Sequence, residues 1–133
     1  MTRKPENKKR VIEKGFENLQ VWQKLHDGML KTYKFVKFLP VEEKYNRISQ
    51  LTRAASSGPA NVAEGYGRYH YQENIQFCRQ ARGSIEEVIN HILAARDIGQ
   101  VEQKECNDLI AHYEECRKLV NGYIRYLKKC KNQ

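Results

Sequence analysis

Proline and glycine are scarce in this chain, at 3 and 8 of 133 residues. A turn-rich β-sandwich draws heavily on both, so that class is set aside. No stretch approaches the roughly 18 apolar residues that a membrane-spanning helix needs. Charged and polar residues follow Val11-Ile12 at once, so the basic start lacks a signal-peptide core. Closely spaced cysteine pairs are missing too. Cys78, Cys106, Cys116 and Cys130 stand 28, 10 and 14 residues apart, and a domain of this length has no need of disulfide staples. Reduced thiols and a cytoplasmic address are expected. The chain also lacks a Glu-x-x-His pair, a Gly-rich phosphate loop and a nucleophile elbow. The expectation is a protein without catalysis, without a cofactor and without a metal.

Charge and helical periodicity are what the sequence does contain. Charged residues make up 30%, apolar and aromatic ones 40%, and mean hydropathy is −0.81. Such a chain folds as a single domain with a core. The net charge of +8 sits entirely at the two ends. Residues 1–15 hold six bases against two acids, and residues 117–133 hold six bases and no acid. The 101 residues between them carry 12 bases and 14 acids. End-loading of this kind serves solubility, and it is also the footprint of a protein that meets a polyanion.

Residues 1–15 have no sustained period and are expected to form a basic flexible tail. Residues 16–133 divide into four amphipathic segments by apolar spacing. The first, about 18–38, aligns Trp22, Leu25, Met29, Tyr33 and Val36, and Pro40 stops it. The second begins near Val41 and repeats at Ile48, Leu51, Ala55, Val62 and Tyr66. The third, about 71–98, alternates through Phe77 or Cys78, Ala81, Ile85, Val88, Ile92 and Ala95, with Gly99 as its stop. The fourth, about 102–130, carries an a/d seam of Cys106, Leu109, Tyr113, Cys116, Val120, Tyr123, Leu127 and Cys130. The economical fold is all-α, an antiparallel up-down four-helix bundle.

Within this frame, residues 51–68 read Leu-Thr-Arg-Ala-Ala-Ser-Ser-Gly-Pro-Ala-Asn-Val-Ala-Glu-Gly-Tyr-Gly-Arg. That run resembles the signature of the four-helix-bundle family named for intervening sequences in large-subunit ribosomal RNA genes. Residues 16–23 (Phe-Glu-Asn-Leu-Gln-Val-Trp-Gln), 38–43 (Phe-Leu-Pro-Val-Glu-Glu) and 81–87 (Ala-Arg-Gly-Ser-Ile-Glu-Glu) extend the resemblance in order. Gly58 departs from it, standing where that family usually has a bulky aliphatic residue. The resemblance implies a non-enzymatic, ring-forming bundle, often a homopentamer. It also implies kinship with the accessory protein of diversity-generating retroelements, which binds nucleic acid and a partner reverse transcriptase.

Two groups of side chains are candidates for a role. Asn61 and Glu64 lie one turn apart near the mid-helix Pro59. A buried Glu64 would need partners such as Arg53, Asn61 or Ser84, because an unpaired buried charge is costly. A ligand-binding or catalytic carboxylate is the functional reading, and a satisfied polar network that fixes helix register is the favoured one. The second group is basic. With Cys106 at position a, Lys118, Arg125, Lys128 and Lys129 fall outside the seam, together with Arg117 and Lys131, and no acid follows Glu115. Lys31 and Lys34, flanked by Lys24 and Lys37, lie opposite the Trp22–Met29 face of the first helix, and the two stripes are expected to merge. Tyr66, Arg68, Tyr69, His70 and Tyr71 crowd the turn between helices two and three, suited equally to stacking on bases and to packing. His112–Cys116 and Glu87–His91 have i, i+4 spacing, yet four convergent metal ligands are not visible. The favoured reading is an oligomeric protein that contacts RNA or DNA phosphates with little base readout. The alternative is a scaffold that docks a partner enzyme. A membrane surface ranks last, because no exposed apolar face matches the basic one.

Overall fold

A computed structural model describes residues 15–133 of the protein. The basic-tail expectation for residues 1–14 lies outside them. Four α-helices form the fold: α1 (Gln20–Phe35), α2 (Arg47–Tyr66), α3 (Tyr71–Ile98) and α4 (Gln103–Lys131). Single 3-10 turns stand at Phe16–Asn18, Val36–Phe38 and Val41–Glu43. The helices pack cyclically, α1 on α2, α2 on α3, α3 on α4 and α4 on α1. Along α3 and α4 the cross-helix contacts run Arg96–Asn107, Glu86–Arg117, Arg82–Asn121 and Gln72–Lys131. One number falls as the other rises, so the two helices run in opposite directions.

Helix ends follow local chemistry. α3 closes on Gly99, whose φ of 87° is left-handed. The Gly99 amide donates to Arg96 O (3.1 Å) and the Gln100 amide to Ala95 O (2.9 Å), the paired bonds of a Schellman stop. α1 ends earlier than its apolar period predicts. Pro40 holds Leu39 extended, at ψ 148°, and the last turn before it tightens to 3-10 geometry. α2 begins later than predicted, at Arg47, because Glu43 caps it from outside. Its Oε1 accepts from the Arg47 amide (3.2 Å) and from Asn46 Nδ2 (3.0 Å).

The core corrects two of the predicted faces. On α1 the buried residues are Val21, Leu25, Gly28, Thr32 and Phe35. Trp22 and Met29 pack only at the edge, and Tyr33 is exposed. Close approach explains this. A Cβ on Gly28 would stand 3.0 Å from Tyr113 Cζ, and one on Gly58 would stand 3.2 Å from Leu25 Cδ2. The Gly58 departure thus lets α2 press onto α1. Thr32, fully buried, donates to Gly28 O (2.8 Å) and meets Tyr113 OH at 2.8 Å, so both hydroxyls are satisfied. On α4 the seam runs Val120, Ile124, Leu127, leaving Tyr123 and Cys130 half-buried. A helix of 3.6 residues per turn drifts from a strict heptad, and Ile124 is where the drift appears. On α3 the core member is Cys78 rather than Phe77. Cys78, Cys106 and Cys116 are free and buried. Burial pushes the Cys78 thiol up to about 11 and that of Cys116 to about 12, so both behave as small apolar groups.

Candidate nucleic-acid interface

The C-terminal third of α4 runs past the start of α1. Residues Asn18–Val21 lie against Lys118, Leu119, Gly122 and Tyr123, and α4 continues eight residues beyond Tyr123 to Lys131. That length is about 12 Å of helix. It lies along the first turns of α3, where Lys131 Nζ donates to Gln72 Oε1 (2.7 Å) and Asn74 Nδ2 to Tyr123 OH (3.4 Å). Arg125, Lys128 and Lys129 therefore share one end of the bundle with the α2–α3 turn. All three are exposed, and among the described residues none of them forms an ion pair.

Tyrosines stand beside these bases. Tyr126 is 58% exposed and lies nearly parallel to Tyr123, with ring centroids 6.2 Å apart and an interplanar angle of 15°. Contact with Cys130 raises the Tyr126 phenol above its usual range, and nearby Tyr71 adds to the effect. Tyr69 is 92% exposed and touches His70 edge-on. Arg68 closes the turn, paired to Glu64 (2.8 Å) with its guanidinium 4.9 Å from the centre of the Phe77 ring.

Not every predicted base joins this end. Arg117 is committed to a bidentate pair with Glu86 (2.7 and 2.8 Å). Lys118 is exposed and reaches Glu115 at 3.3 Å. Lys31 and Lys34 occupy the far end of α1, beside the first half of α4. There they line a cavity of about 520 Å³ together with Glu105, Asp108 and Glu115. The expected merger of the two basic stripes does not occur, because α4 runs opposite to α1 and brings its acidic half to those lysines.

The predicted Glu64 network is also corrected. Glu64 is exposed and pairs with Arg68, not with Arg53, Asn61 or Ser84. Arg53 sits three turns away and is exposed. The network that does exist centres on Ser57, whose Oγ meets Ser84 Oγ (2.9 Å) and Asn61 Nδ2 (3.0 Å). It ties α2 to α3 with neutral groups only.

Sequence reasoning missed a second polar cluster at the other end of the bundle. Arg47 Nη1 donates to His91 Nδ1 (2.8 Å), and Gln100 Nε2 donates to Glu43 Oε2 (3.0 Å). A guanidinium only donates, so His91 is a neutral imidazole with its proton on Nε2, facing Glu87 at 3.9 Å. Burial lowers the His91 pKa, Arg47 lowers it further, and Glu87 opposes them. Arg47 Nε and Gln100 Oε1 are buried there without a hydrogen-bond partner among the described residues. The i, i+4 pair of Glu87 and His91 was visible in sequence, but Arg47, 44 residues away, was not.

His112 Nε2 and Cys116 Sγ both approach Lys24 O, at 3.0 and 3.5 Å, which ties α4 to α1. Among the described residues, no three His, Cys, Asp or Glu converge as metal ligands would. No described helix is long and apolar enough to cross a membrane.

These features define an all-helical four-helix bundle with one basic, tyrosine-rich end. The chain matches the model of the 23S rRNA-intervening sequence protein family over residues 17–122 and belongs to that family. No curated protein matches the chain.

Proposed function

We propose that this protein is a non-catalytic, cytoplasmic nucleic-acid-binding bundle that acts as a homo-oligomer, with a pentamer as the expected ring. One observation carries the reading: Arg125, Lys128 and Lys129 are exposed on the last turns of α4 and, among the described residues, have no acid paired to them. An ordinary solvated face mixes both signs. Phosphate contacts release counterions, so three such bases per subunit give a log–log salt slope near −2.7 on duplex, roughly −0.9 per contact. Fluorescence anisotropy across a salt series tests this. The Lys128→Glu/Lys129→Glu protein should bind all sequences more weakly and with a flatter slope. Unchanged affinity and slope would assign these lysines to solubility.

A second reading has its own support. Phe38, Val41, Tyr45 and Ile98 are exposed at the opposite end, with Val41 at 76% and Tyr45 at 87%. Apolar surface of this kind suits a protein contact, either between copies of this chain or with a partner enzyme such as a reverse transcriptase. Light scattering separates monomer from ring. A mass of 15.7 kDa at micromolar concentration would exclude oligomeric action.

A further inference from the structure

We propose that the basic end takes an unpaired nucleic-acid strand in preference to a duplex, with Tyr69 and Tyr126 as stacking platforms. The inference rests on the nucleic-acid reading above and adds the class of strand. Phosphate attraction by Arg125, Lys128 and Lys129 alone favours the denser charge of a duplex, whereas stacking on the tyrosines favours a strand with open base faces. Tyr126 presents an exposed ring held against Tyr123, so its orientation is fixed before any ligand arrives. Tyr69 projects from the turn, 92% exposed, with the His70 ring edge-on against it. Both lie at the end where α4 finishes and where Lys131 joins Gln72. A ring buried for stability would lie in the core, as Tyr113 does. These rings face solvent among cations, and a polyanion matches that charge. In a duplex the base faces are stacked on one another, and only the groove edges and phosphates remain accessible. A splayed strand offers its faces, and every base has one, so this contact tolerates any sequence. The last eight residues of α4, roughly 12 Å of helix, accommodate about two to three nucleotides per subunit along their exposed side, at a few ångströms of strand each.

The test uses the full chain with labelled oligo(U), oligo(dT) and a duplex of equal length at one salt concentration, comparing the wild type with Tyr69→Leu and Tyr126→Leu. Leucine keeps bulk and apolar character but removes the π-face. The expected result is tighter binding of one or both single strands than of duplex, with roughly 5- to 100-fold loss of single-strand affinity on replacing Tyr126. Duplex affinity should stay within about twofold. The two single-strand arms decide whether RNA or DNA is the source. Salt-dependent binding of the duplex as tight as or tighter than the single strands, ignoring both tyrosines, would overturn this inference and leave phosphate binding standing. No salt-dependent binding of any probe would overturn both. A change of oligomeric mass in the tyrosine variants, with single-strand affinity intact, would give the rings to a subunit contact and overturn the stacking role.

Discussion

The two ends of the bundle use polar residues in opposite ways. At the end where α2 begins and α3 stops, the charged and polar groups are turned on one another. Glu43 caps α2 and receives Gln100, and Arg47 donates to a neutral His91. At the other end Arg125, Lys128 and Lys129 reach solvent without a partner among the described residues, beside exposed tyrosines. The first arrangement fixes helix register. The second leaves free energy available to a ligand, since bases already held in strong pairs gain little from phosphate. Lys31 and Lys34 show the same point in reverse: they are lysines on an exposed face, but carboxylates share their cavity.

The largest effect on this contrast should come from the small residues that hold the basic end together. A Cβ on Gly65 would fall 2.7 Å from Asn74 Oδ1 and 2.9 Å from Phe77 Cβ, where α2 meets α3 just before the turn. Gly65→Val should cost about 1–3 kcal/mol or more through overpacking. Chemical denaturation would measure it, and nucleic-acid affinity should fall with it because the turn shifts. Asn61→Ala removes the bond to Ser57 from a half-buried site. A loss of about 0.5–1.5 kcal/mol is expected.

The internally paired end should announce itself through pH. Unfolded, His91 titrates near its ordinary 6.5, and in the fold its pKa is lower, first through burial and then through Arg47. The unfolded chain therefore binds the extra proton first. His91 contributes stability above 6.5 that is lost as pH falls through that value toward the folded pKa. Thermal melts between pH 7.5 and 5 should show the decline, and His91→Gln, which can still accept from Arg47, should flatten it. The smallest effect is expected from Glu64→Gln. With Glu64 solvent-exposed and paired to Arg68 in the turn that follows its helix, stability should change by less than about 0.5 kcal/mol.

Much of the fold was legible in sequence because local chemistry decides it. The 4-3 alternation of α3 and the left-handed stop at Gly99 lie within a few residues of each other, and the predicted span of about 71–98 is the observed one. The α1 face was not legible, because its tightest contacts are made by Gly28 and Thr32, which a search for large apolar side chains passes over. The exposure of Glu64 and the pairing of Arg47 with His91 depend on where a distant helix lies, and no local pattern encodes that. The basic residues of α4 were legible individually. Their separation from Lys31 and Lys34 followed only from the opposed helix directions.

The most direct test sets the two ends against each other by charge reversal. Lys128→Glu/Lys129→Glu and Lys31→Glu/Lys34→Glu change net charge by the same amount and should leave the helix signal intact. Titrated with the same labelled duplex across a salt series, the first protein should lose affinity and lower the magnitude of its salt slope by roughly 1.8, two contacts at about 0.9 each. The second should retain most of its affinity, with the slope nearly unchanged. Equal losses from both pairs would mean that overall charge governs binding, and a larger loss from Lys31 and Lys34 would place the interface at the wrong end of the bundle.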